Sequence, residues 1–144
     1  MAHGEIPASA RTLQCAVVTP EATVLETTAK FIALPLFDGE IGIAPLHSPL
    51  IGRLGYGEMR IISGGKTVSY YVDGGFVQVN GDVVAVLTNR AVPAEQVDED
   101  AAASQLAAAL QRPAPSEELI AIRDRQLAQS RAQLRIARRV KGAH

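Results

Sequence analysis

At 144 residues the chain can bury one substantial core with a small appendage. Its composition is globular, 47% hydrophobic and 20% charged, and a net charge of −1 excludes a global pull on nucleic acid or on an acidic substrate. The single Cys15 excludes an intramolecular disulfide, and no apolar run reaches the roughly 18 residues of a membrane span. The charge is unevenly spread. Residues 1–96 hold 6 basic and 9 acidic side chains, residues 97–144 hold 8 and 6, so the two parts are expected to face different surroundings.

Residues 1–12 carry neither the apolar centre of a secretion signal nor the Arg-rich pattern of a transit peptide, and are expected to form a disordered lead. From residue 13 to 93 the punctuation is that of sheet. "LQCAVVTP" and "ATVLETTAKFIALPL" are rich in strand-forming residues and end near proline. The stretch "LPLFDGEIGIAPLHSPL", residues 34–50, mixes Pro and Gly with Leu and Ile. A core strand does not accept so much Pro and Gly, and a solvated loop has no need of so many Leu and Ile. A loop shaped to meet another surface is expected there. Two hairpins follow, around Gly64-Gly65 and around Asn80-Gly81, the second needing positive φ at both central positions. Short strands at this spacing indicate an antiparallel sandwich or barrel.

Beyond Pro93 the period becomes helical, so residues 94–144 are expected to form an antiparallel helical hairpin and the fold class is α+β. In "AEQVDEDAAASQLAAALQRP" acids lead, Val97, Ala101, Ala102, Leu106, Ala109 and Leu110 share a face, and Arg112-Pro113 stops the helix. Ser116 is the expected cap of the second helix, with Glu117 and Glu118 in its first turn. Ile120, Leu127 and Leu134 recur every seven residues to form its seam, and Arg138, Arg139 and Lys141 suit its negative end.

Catalytic chemistry is missing. "SGGKT" imitates the end of a phosphate loop, yet Arg60 stands where its first glycine belongs and "VSYYV" follows instead of a helix. His47 is the one histidine away from the ends, and one histidine with one distant cysteine makes no zinc site. Cys15 reads as a buried apolar residue rather than a nucleophile. Asp38 and Glu40 have no acid placed opposite them. Arg123, Arg131, Arg135, Arg138 and Arg139 have no interleaved aromatic, so no nucleic-acid partner is expected. They read either as a solvated face or as a dock for an acidic protein surface.

The ordered set Gly39, Gly42, Pro45, His47, Pro49 and Leu50, then "GEMRI", "DGGFVQV", "VAVLTNRAV" and "AQLRI", resembles the ε subunit of F-type ATP synthases over about residues 13–140. The resemblance implies a non-catalytic rotor subunit that couples γ to the membrane ring, with Glu40, Leu46, His47, Leu50 and Ile51 meeting those partners. It also implies a regulatory hairpin whose Arg123, Arg131, Arg135, Arg138 and Arg139 reach the catalytic subunits in an inhibited state. The implied location is the cytoplasmic face of a bacterial inner membrane, held there through the complex. Two departures stand out. Leu36 and Leu46 replace common glycines, and Ala101 replaces the arginine of the family's I/L-D-x-x-R-A nucleotide motif. No cofactor is therefore expected, although Arg123 and Arg131 remain as basic groups on the second helix. The competing reading is a stand-alone sandwich that recognises a peptide or glycan and dimerises through its hairpin.

Overall fold

The computed structural model describes residues 10–142. Most of the expected disordered lead, residues 1–9, lies outside that range. Ten strands come first: β1 (Leu13–Val18), β2 (Thr23–Ala29), β3 (Phe31–Leu36), β4 (Gly39–Ile43), β5 (Leu50–Arg53), β6 (Tyr56–Ser63), β7 (Lys66–Asp73), β8 (Phe76–Asn80), β9 (Val83–Leu87) and β10 (Ala91–Pro93). A 3₁₀ turn, Ala94–Gln96, leads to α1 (Glu99–Gln111) and α2 (Glu117–Gly142).

The strands form two five-stranded sheets, β2-β1-β9-β8-β5 and β10-β7-β6-β3-β4. All pairs are antiparallel except β1 with β9, which run parallel. Parallel neighbours need a long crossover, and here the chain between Val18 and Val83 supplies it. The run expected as one strand from Ala22 to Leu36 breaks at Lys30. There the chain leaves the first sheet, where Leu13 pairs with Ala29, and enters the second, where Phe31 pairs with Ile62.

Alternation fills the space between the sheets. Leu13, Cys15 and Val17 face Val77, Val79, Val84 and Val86 along the first sheet, and Ile32, Leu34, Ile43, Met59, Ile61 and Val72 come from the second. The Gly64-Gly65 hairpin forms as expected, with φ of 55° and 82°. The next hairpin shifts by one residue. Asn80 pairs with Val83, so Gly81 and Asp82 make the turn and only Gly81 has positive φ, at 61°. That pattern fits the turn type that asks for glycine only at its first central position.

Residues 34–50 are more ordered than expected of a loop. Leu34 to Leu36 end β3, residues 39–43 are β4, and Leu50 opens β5, so the irregular part shrinks to residues 44–49. Pro35 is tolerated because β6 pairs with β3 only from Phe31 to Ala33, and beyond it Pro35 serves only as an acceptor, its carbonyl taking the Gly55 N–H at 3.0 Å.

The hairpin covers the outer face of the second sheet. Alpha-helix α2 sets Ala132 and Ile136 against Tyr71 and Ala94, with Tyr56, Val92, Val97 and Val140 around them. Asp98 caps α1 by accepting from the Ala101 N–H at 3.1 Å, and Ser116 Oγ accepts from the Leu119 N–H at 3.2 Å. The five-residue link 112–116 is pinned to α2 by Arg112 Nη1 donating to Gln126 Oε1 at 3.0 Å.

Candidate functional site

The loop of residues 44–49 rests against the turn after β8. The Leu46 N–H donates to Asp82 Oδ1 at 3.0 Å, and the His47 N–H donates to the Ala44 carbonyl at 3.2 Å. His47 Nδ1 donates to the Ser48 carbonyl at 2.7 Å, which leaves Nε2 as the ring atom able to meet a partner. Leu46 has φ of 70°, the left-handed conformation that a glycine takes freely. Leu46 is 68% exposed, so leucine at this position places an apolar group in solvent. Leu36, at the other departure from the family pattern, rests against the core.

The five expected partner residues do not form one patch. Leu46 and His47 sit at one end of the sandwich. Glu40, the second residue of β4, lies toward the other end, about 10 Å of strand before Ile43, and its Oε1 accepts from Arg60 Nη2 at 3.0 Å. Leu50 turns inward and rests partly on the core, so its role as a free anchor is reduced. Ile51 turns outward and is 74% exposed.

Ile51 belongs to a surface that the sequence reading did not single out. The outer face of the first sheet carries Ile51 on β5, Phe76 on β8 and Val83 and Leu87 on β9, all exposed. The register aligns Arg53, Phe76 and Leu87 in one row, and the Arg53 guanidinium lies 5.5 Å from the Phe37 ring centre. Strand parity held the missing signal: with Val77, Val79, Val84 and Val86 pointing inward, Phe76, Val83 and Leu87 must point outward. The two sheets thus differ, one face being covered by the hairpin and the other bare and apolar.

The helix arginines divide as well. Arg139 pairs with Glu58 on β6, while Arg138 Nε lies 3.4 Å and Lys141 Nζ 3.7 Å from the Glu99 carboxylate on α1. Among the described residues no acid lies within ion-pair distance of Arg131 or Arg135, and Arg123 reaches only Asp124, at 4.0 Å. These exposed pairs hold the hairpin weakly. Cys15 is buried in the core, and burial pushes its thiol pKa up to about 11, which suppresses the reactive thiolate. Among the described residues no three His, Cys, Asp or Glu side chains gather as a metal site, and no helix is long and apolar enough to cross a membrane.

A sandwich with one bare apolar face and a helical hairpin packed on the other has the form of a binding module with an appended arm. The family described as "ATP synthase, Delta/Epsilon chain, beta-sandwich domain" matches residues 12–94. The ATP synthase epsilon chain of Rhodopirellula baltica is 48% identical over 126 residues, covering 88% of this chain and 98% of the relative. That of Desulfitobacterium hafniense is 40% identical over 127 residues, covering 88% and 96%. The chain belongs to the ATP synthase epsilon-chain family. Among solved structures, a chain of the Euglena gracilis mitochondrial ATP synthase, OSCP/F1/c-ring, matches with a TM-score of 0.71 at 26% identity, covering 99% of this chain and 86% of that one. A chain of the Tetrahymena thermophila mitochondrial ATP synthase central stalk/c-ring also gives 0.71, at 12% identity, over 88% and 97%, and supports the fold alone.

Proposed function

We propose that the chain is a non-catalytic central-stalk subunit that joins γ to the c-ring of an F-type ATP synthase at the membrane surface. Its hairpin would restrain ATP hydrolysis when it leaves the sandwich. The observation that carries this reading is the contrast between the two sheet faces. Ile51, Phe76 and Leu87 leave apolar area in water that a partner would remove from it, at roughly 25 cal/mol per Å². Leu46 and His47 extend that surface at one end of the sandwich.

On the opposite face, among the described residues, α2 lays Ala132 and Ile136 alone into the fully buried cluster with Tyr71 and Ala94. So small a buried contact would leave the docked hairpin close in free energy to a released one, as a movable arm requires. Nucleotide plays no part in this reading. Ala101 cannot meet a phosphate, and the Asp98 carboxylate is occupied in capping α1.

The test is reconstitution with the ATPase complex, comparing the full chain with one ending before Val97. The expected result is that both restore coupling and only the full chain restrains hydrolysis. Loss of coupling on truncation, or equal hydrolysis with either form, would overturn the respective half of the proposal.

A further inference from the structure

Among the described residues, α2 reaches acidic side chains of the sandwich at two points, besides a hydrogen bond between Gln133 and the Tyr71 hydroxyl. One is the surface pair of Arg139 with Glu58. The other is partly buried: Gln129 Nε2 donates to Asp73 Oδ1 at 2.9 Å, and the Tyr71 hydroxyl donates to the same oxygen at 2.6 Å. The sandwich itself fixes the position of that carboxylate. The Asp73 N–H donates to Thr88 Oγ1 at 3.0 Å and to the Arg90 carbonyl at 3.1 Å, while the Asp73 carbonyl accepts from Asn89 Nδ2 at 3.0 Å. The turn that follows cannot shift readily. Gly75 has φ of 102°, and a Cβ there would stand 1.9 Å from the Leu87 carbonyl oxygen.

We propose that Asp73 is the latch of the hairpin: a carboxylate held ready by the sandwich, whose bond to Gln129 sets how often α2 lifts from the second sheet. Every other hydrogen bond made by Asp73 stays within the sandwich and survives when the hairpin leaves. Of the bonds at Asp73, only the one to Gln129 is made and broken with the arm. It lies beside the buried Tyr71, Ala132 and Ile136 cluster, partly sheltered from water. A charge-assisted bond sheltered in this way outweighs an exposed ion pair and resists salt, whereas the Arg139–Glu58 pair is screened.

This inference rests on the reading of the hairpin as a movable arm, and its test separates the two. Hydrogen exchange is followed in the full chain for amides of residues 126–136, since a helix parted from its supporting surface is marginal in water. Gln129→Leu should speed exchange there about tenfold, with no dependence on salt, while sheet amides at residues 77–79 keep their protection. Asp73→Ala should act alike, and the double variant should exceed neither single by more than about twofold. Asp73→Asn retains an acceptor oxygen and should restore much of the protection. Arg139→Ala should change exchange by no more than about threefold, and that effect should vanish at high salt.

Should Asp73→Ala disturb the sheet amides, Gln129→Leu decides, because it acts from the helix side. Exchange at the parental rate in Gln129→Leu would overturn the latch. Faster exchange combined with unchanged restraint of hydrolysis in the reconstituted complex would leave the latch standing and remove the regulatory role of the arm.

Discussion

Leu46 combines an unfavourable backbone with an exposed side chain. Left-handed φ costs a leucine about 1–2 kcal/mol, and glycine at the same place avoids that cost while giving back roughly 0.5–1 kcal/mol in unfolded-chain entropy. Leu46→Gly is therefore expected to leave the denaturation midpoint unchanged or slightly higher, while binding to the partner complex weakens. A core leucine would lose about 2–5 kcal/mol on such truncation, so a fall of that size would show the side chain to be structural. The irregular loop, its prolines and its lone histidine were legible in the sequence. The conformation of Leu46 was legible only as a departure from the family's glycine. The Asp82 bond was not legible, because it joins residues 36 apart in sequence through a turn that forms one residue later than Asn80-Gly81 suggests.

At the scale of elements, periodicity placed the strands and both helices but not the surfaces that helices share. Of the expected seam, Leu134 is buried and lies beside Leu106 of α1 while Ile120 is exposed, whereas the contact with the sandwich uses Ala132 and Ile136, with Ser130 and Gln133 buried beside them. Alanine, serine and glutamine carry no burial signal of their own, so this second face of α2 stayed hidden. Tyr71 lies beneath it. Burial, then the hydrogen bond to Asp73, then the Asp73 charge, push the phenol pKa far above its ordinary value, against a smaller pull from Gln133 and from Arg90. Asp98 also borders this site from the α1 side. The sign follows from linkage. The docked state favours neutral phenol, so its stabilisation is complete below the released-state value, which Asp73 still holds above the ordinary tyrosine value, and declines as pH rises above it. Alkaline titration should therefore release the hairpin, seen as tyrosinate absorbance rising together with exchange in α2, and Tyr71→Phe should abolish that dependence. Release at the same alkaline pH in the phenylalanine variant would assign the effect to another group.

For the whole molecule, the arginine stripe has to be read in both positions of the arm. When the hairpin is docked, Arg138 and Arg139 already have acids, Glu99 and Glu58, whereas Arg131 and Arg135 have none among the described residues. If the released arm binds an acidic surface on the catalytic subunits, all four arginines favour release but only two of them also oppose it. Changing Arg131 and Arg135 to alanine should thus weaken restraint of hydrolysis without altering exchange in the docked hairpin. Changing Arg138 and Arg139 removes attractions from both states, each worth about 0–1 kcal/mol, so restraint should change less while docking loosens. Raising ionic strength should reproduce the first effect more than the second, because an assembled interface collects several pairs and the docked hairpin keeps its unscreened apolar contacts. The measurement is hydrolysis by the reconstituted complex for each double variant, taken with hydrogen exchange of the free chain. Equal restraint by the Arg131/Arg135 variant and the parent at low salt would make that half of the stripe a solvated face, and the acidic partner would then have to be sought through Arg138 and Arg139 alone.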